Sequence, residues 1–260
     1  MNIIYIIGLV LGFGGILAGY MLDEGVLSAL LKVPAFCIVF GGTFGVMLMA
    51  NPMSRIKLVP GALKLLFFYK PRDYEQLVNQ MYDLANIARR DGLLAMEAEA
   101  EKIGDPFIQK GLNLLADGVE PEFLQDVLGS EIEAKDHDYE EAAAVFEGMG
   151  GTAPTMGVLG TVMGMVSILR DMSDMDSLGG KIASAFIATM LGVGSANLMW
   201  LPIGSHIKAI ANQEREYHET IVDAMLLILD GMAPLRIKEK LYARIGEKIN
   251  NSKKGKDKGE

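Results

Sequence analysis

This chain of 260 residues has one cysteine, one tryptophan and three histidines. A single thiol cannot form a disulfide framework, and Cys37 lies inside an apolar run, where it reads as a small packing residue. The chain shows no Cys–His pairing and no zinc-type His/Glu spacing, and its apolar runs contain no acid pair. Intramembrane hydrolysis is therefore not expected, nor is a metal or organic cofactor. Basic residues are also scarce: 24 Lys and Arg against 33 Asp and Glu give a net charge of −9, which argues against a nucleic-acid partner. The first basic residue is Lys32, so the N-terminal apolar run lacks the positive region of a signal peptide and is expected to be retained.

Charge is also absent locally. Four stretches, 3–22, 33–54, 148–169 and 182–207, contain no Asp, Glu, Lys or Arg. About 20 apolar residues cross the roughly 30 Å hydrocarbon layer as a helix. The chain is 50% hydrophobic and 22% charged with a mean hydropathy of +0.27, as expected when apolar and charged blocks are segregated. The expectation is an all-α membrane protein with four transmembrane helices. Lys and Arg set the orientation. The short connections at 23–32 and 170–181 are poor in basic residues. Arg55, Lys57, Lys64, Lys70 and Arg72 follow the second stretch, and Lys208, Arg215, Arg236, Lys238 and Lys240 follow the fourth. Both termini and the block between spans 2 and 3 are accordingly expected in the cytoplasm. The expected organisation is spans 1 and 2 in 1–54, a helical cytoplasmic domain in 55–147, spans 3 and 4 in 148–210, and a cytoplasmic helix with a basic disordered tail in 211–260.

Within the soluble block, RIKLVPGALKLLFFYK (55–70) mixes basic and apolar residues, a composition suited to the headgroup layer of lipids or to packing on the loop. Asp73 is placed to cap a helix with a Leu77, Met81, Leu84, Ala88 stripe, which Gly92 ends. Further helices are expected at 94–103, at 106–116 with Pro106 in the first turn, and from Pro121 toward Val145. Between residues 51 and 150, nineteen acids stand against ten bases, which gives either a solvated face or a docking surface for a charged partner. The segment QEREYHETIVDAMLLILDGM after the fourth span reads as an amphipathic helix, and the final KINNSKKGKDKGE as disordered.

In lipid, helices associate by close approach through small residues. The spans carry Gly8 and Gly12, Gly15 and Gly19, Gly41 and Gly45, and Gly160 and Gly164 at four-residue spacing, with Gly157 one turn before Gly160. Two features go beyond packing. Thr161 lies two turns past Pro154 in the third span, and Thr189 is mid-span in the fourth. Each hydroxyl can bond a carbonyl of its own helix. Together with Pro154 and Pro202, which leave carbonyls unpaired, the pair can instead line a polar path. The only titratable side chain near this path within the spans is His206, at the very end of the fourth. Ion paths use an intramembrane ionisable group, so a conducting role requires another chain to supply the acid.

The run EGMGGTAPTMGVLGTVMGMVSIL, a fourth span ending in NLMWLPIGSHI and the phrase ARRDGLLAMEAE resemble the motility protein A (MotA/PomA) family of flagellar stator subunits over essentially the whole chain. The more distant relatives ExbB and TolQ have one span before their cytoplasmic domain, whereas this chain has two. The resemblance implies a homopentamer around a MotB-type single-span partner whose membrane aspartate carries the ion, H⁺ or Na⁺. It further implies that Pro154 and Pro202 couple conduction to movement and that Arg89 and Glu97 engage the rotor protein FliG. Thr161 and Thr189 fall where sodium-driven members carry threonines. Gly151 stands where some members have an acid. An ExbB/TolQ-like energiser of an envelope protein and a passive membrane scaffold are the alternative readings.

Overall fold

The computed structural model describes residues 3–170 and 175–256, and every described element is helical. The first span is one helix, α1 (Ile3–Leu22). After the short α2 (Leu27–Leu30), the second span runs through α3 (Val33–Phe36), a π-helical turn (Cys37–Gly41) and α4 (Gly42–Ala50). Two short helices follow, α5 (Met53–Ile56) and α6 (Val59–Phe68), and then α7 (Tyr74–Asp91), α8 (Ala95–Ala100) and α9 (Pro106–Ala116). The third span is the C-terminal part of a 50-residue helix, α10 (Pro121–Arg170). The fourth runs from α11 (Met175–Ser195) through a second π-helical turn (Ala196–Trp200) into α12 (Leu201–Leu229), and α13 (Pro234–Lys256) ends the described chain. Four of these helical stretches are long and apolar enough to cross a membrane, in the order the sequence predicts.

The compact units do not follow chain order. One comprises 1–70 and 138–210, the other 71–137 and 211–260. This grouping follows side-chain burial. Ala62 and Leu66 of α6 pack with Ala142 and Phe146 of α10, so 55–70 groups with the spans, while Phe67 and Phe68 stay exposed. In the second unit, Leu77, Met81 and Leu84 on α7 meet Leu112 on α9, Leu124 and Leu128 on α10, Ile221 and Met225 on α12, and Ile237 and Leu241 on α13.

The local rules act where expected in this unit. The Asp73 carboxylate accepts from the Gln76 N–H at 3.0 Å, capping α7. Gly92 ends that helix at φ +85°, a backbone conformation L side chains rarely adopt. Asp105 caps α9, accepting from Phe107 N at 2.9 Å, with Pro106 at its first position.

Two expectations need revision. The C-terminal segment expected to be disordered is helical through Lys256; residues 257–260 lie outside the described residues. Ile237, Leu241 and Ile245 form a buried stripe at four-residue spacing, packed in the second unit's core, and once that nucleus is fixed each further residue extends the helix at little cost. The connection expected at 170–181 is shorter, because α11 begins at Met175; residues 171–174 lie outside the described residues.

Candidate functional site: the seam between the third and fourth spans

The third and fourth spans touch backbone to backbone. A Cβ added to Gly192 would fall 2.6 Å from the Ala153 carbonyl oxygen and 2.9 Å from Gly157 Cα. One on Gly157 would fall 2.9 Å from the Ala188 carbonyl oxygen. Gly160 and Gly164 play the same part against Ala188 and Ala185, whose Cβ atoms would each lie 2.7 Å away. Only glycine allows this approach, and it sets the distance across which short side chains can reach.

At that distance the two threonines meet. The Thr161 and Thr189 hydroxyls form a direct hydrogen bond. Thr161 Oγ1 also lies 3.0 Å from the Ala185 carbonyl across the seam and 3.2 Å from Gly157 O in its own helix; Thr189 Oγ1 lies 3.4 Å from that same Gly157 O. Intrahelical bonding, one of the alternatives left by the sequence, is thus accompanied by a hydroxyl contact across the seam. Thr152 and Thr155 bond within their own helix, to Gly148 O at 2.8 Å and Thr152 O at 2.6 Å. The seam site is a cluster of hydroxyl and carbonyl oxygens with no charge of its own, suited to a small hard cation or a bound water.

Pro154 sits within α10 without interrupting it, removing the N–H that would bond the Gly150 carbonyl. Pro202 lies in the first turn of α12, just after the π-helical turn. That turn holds one residue more than an α-turn, so everything beyond it is rotated back by about 100°. The contacts follow this shift. Ala185, Ala188 and Gly192 face α10 before the turn, and Leu201 and Gly204 face it after, Leu201 against Gly150 and Gly204 against Ala143 and Glu147. Nineteen residues separate Thr189 from Lys208, but with the extra residue they span close to five full turns and share a face. The sequence carries no readable mark of a π-helical turn, and this register was missed.

The remaining small residues divide. Gly12 packs on Leu198, whose Cδ2 would be 3.1 Å from an added Cβ. Among the described residues, Gly8, Gly15, Gly19, Gly41 and Gly45 have no atom of another helix within 4 Å of such a Cβ, so no close helix packing is made at them within one copy. Gly8 and Gly12 instead line a cavity of about 300 Å³ with Tyr5, Leu9, Asn197 and Pro202. His206, the titratable group at the end of the fourth span, is half-buried with its ring 5.3 Å from that of Tyr5.

Two ion pairs at the ends of the spans were also missed, because each joins residues distant in sequence. Arg55 forks Glu141, with a second bond of 2.7 Å and a further one to Asn51 at 3.1 Å. Lys208 Nζ lies 2.8 Å from both carboxylate oxygens of Glu147. In the second unit, Arg89 in the last turn of α7 and Glu97 in the first turn of α8 are both exposed, on either side of Gly92, and Leu94 between them is 77% exposed. Arg90 pairs with its neighbour Asp91 at 2.7 Å.

Residues 6–92 match the family model described as motility protein A N-terminal, and residues 99–220 match the MotA/TolQ/ExbB proton channel family. Motility protein A of Bacillus subtilis is 35% identical over 96% of this chain and 97% of its own length. The chain belongs to the motility protein A family. The chemotaxis protein PomA of Vibrio alginolyticus is 32% identical over 90% of the chain and 91% of its own length. Among solved structures, the flagellar MotAB stator complex from B. subtilis superposes with a TM-score of 0.88 at 35% identity, covering 95% of this chain and 97% of that one. The C. jejuni MotAB structure superposes at 0.89 with 27% identity, covering 94% and 95%. Membership makes the chain a multi-pass membrane channel subunit and not an enzyme.

Proposed function

We infer that this chain is the ion-conducting stator subunit of a bacterial flagellar motor, and that its ion passes between the third and fourth spans. The reading rests above all on the Thr161–Thr189 contact: two mid-span hydroxyls joined across a glycine-lined seam that has no acid. A partner of the MotB type, a single-span chain, supplies the membrane aspartate. The ion reaches that carboxylate beside the threonines, and neutralising it removes its preference for polar surroundings. Hydroxyl and carbonyl oxygens suit Na⁺; H⁺ crosses the same seam along bound water.

The distribution of Lys and Arg supports a cytoplasmic position for both termini and for the block between the second and third spans, and we assign the protein to the inner membrane. Five copies surround the partner, as the family resemblance implies. Pro154 and Pro202, one on each helix at the same end of the seam, let the spans bend as the ring turns by a step. Arg89 and Glu97, exposed beside Gly92, then meet oppositely charged groups of the rotor protein FliG. One charge falling through 100 mV supplies about 2.3 kcal/mol. An exposed ion pair is worth about 0–1 kcal/mol, so such contacts break and re-form on every step.

Native mass and composition of the complex purified from its own cells test this reading. Five copies with two single-span chains bearing a membrane aspartate are expected. A partner of the envelope-energising type, or no partner at all, would contradict it.

A further inference from the structure

The face of α10 that carries the threonine and the proline continues to a charge. Glu147, Pro154 and Thr161 are seven residues apart, close to two helical turns, so they lie in one row at intervals of about 10 Å. Glu147 is the first ionisable residue along that row. Its position is set by close packing: a Cβ on Gly204 would come 3.0 Å from Glu147 Cγ and 3.1 Å from the Ala143 carbonyl oxygen, so the bare residue 204 leaves α12 room for the glutamate stem. On the opposite helix, the π-helical turn brings Lys208 to the face that carries Thr189. Two rows thus meet at both ends, hydroxyl to hydroxyl at Thr161 and Thr189, carboxylate to ammonium at Glu147 and Lys208.

We propose that Glu147 is the carboxylate that receives the ion at the proline end of the seam, and that Lys208 is the tethered cation that closes this end when no ion is present. The proposal rests on the path between the third and fourth spans given above. A carboxylate accepts either ion, a proton handed on by water or Na⁺ as a hard cation coordinated by its oxygens. The Lys208 ammonium occupies both oxygens in this structure and must leave as the ion arrives. Within one copy the side chains are 38% and 41% exposed, so the exchange is not opposed by a bond buried inside this chain. When the ion passes into water, the ammonium returns. The neighbouring pair is built for the opposite purpose. Arg55 holds Glu141 through a planar fork and is itself held by Asn51, a fixed tie between the end of the second span and α10.

The two members of a gate act on flux in opposite directions, whereas two members of a structural clamp act alike. The complex with its partner chain, reconstituted in liposomes, is assayed for H⁺ and Na⁺ flux under an imposed potential. Glu147→Gln should lower flux about tenfold, Glu147→Asp should keep most of it, and Lys208→Met should raise flux above the wild-type level. Equal loss in Glu147→Gln and Lys208→Met, restored by exchanging the two residues, would make the pair a clamp and overturn the proposal; so would unchanged flux in Glu147→Gln. Should Glu147→Gln fail to assemble, Lys208→Met decides alone, raised flux supporting the gate and lowered flux overturning it. Thr161→Ala, assayed alongside, separates the two levels. Loss of flux there with none in Glu147→Gln removes this gate and leaves the path; no loss in either removes the path as well.

Discussion

Gly157 of the third span and Gly192 of the fourth lie so close that a methyl group on Gly192 would sit 2.9 Å from Gly157 Cα. Backbone lies on both sides of this contact, so no flexible side chain can move aside to admit larger residues. Gly157→Ala or Gly192→Ala should force the helices apart and break the threonine contact. The expected outcome is loss of swimming with reduced recovery of the assembled complex. Gly151→Ala, where an added Cβ meets nothing within 4 Å, should assemble normally in this chain.

The threonine pair predicts graded effects. Thr161→Ser keeps the oxygen and should retain most motor speed. Thr161→Ala and Thr189→Ala remove one bridging hydroxyl and should lower speed or change its sodium dependence. Speed measured across a range of sodium concentrations checks this. An unchanged curve in both alanine variants would take the threonines out of the path.

In the second unit, Arg72 forks Glu214 at 2.8 and 2.7 Å, stacks 5.0 Å from the Tyr217 ring centre, and lies 3.8 Å from Asp105. These contacts hold its guanidinium above its already high ordinary pKa, with the hydrogen bond to Glu214 the largest cause. Arg72→Lys keeps the charge but loses the planar fork and the stack. A loss of about 1–3 kcal/mol is expected, read as a lower midpoint of thermal or denaturant unfolding. No change in the midpoint would make the fork a surface contact of little consequence.

His218 gives this unit a pH dependence. It is 8% exposed, its ring is 4.5 Å from that of Phe107, and Nδ1 is 2.7 Å from the Glu214 carbonyl oxygen. Burial lowers its pKa below the ordinary 6.5; Lys135 and Arg72 push the same way, and Glu214 opposes them. The folded state therefore holds the neutral ring while the unfolded state takes up a proton below about 6.5. Stability from this group is present above that pH and is lost as pH falls from there toward the folded value. Unfolding midpoints between pH 8 and 5 should drop on the acid side, and His218→Asn should flatten that drop.

The spans, the long helix from Pro121, the Asp73 cap and the Gly92 stop were legible in the sequence, because each depends on local pattern or residue type. The threonine pair was legible as a candidate, but its contact depends on Gly157 and Gly192 facing each other, which neither residue alone reveals. The π-helical turn at Ala196–Trp200 and the Glu147–Lys208 pair were not legible. The first changes register without a residue signature, and the second joins side chains 61 positions apart. The helix at 234–256 was overlooked because the charged composition of its end masked the Ile237, Leu241, Ile245 stripe at its start.

The central claim is that this chain forms a cation path only when another chain supplies the acid. The direct measurement is H⁺ and Na⁺ flux through liposomes containing this chain alone, the chain with its partner, and the chain with a partner whose membrane aspartate is replaced by asparagine. Flux only in the second preparation, reduced by Thr161→Ala, is the predicted result. Equal flux with and without the partner's carboxylate would contradict the account.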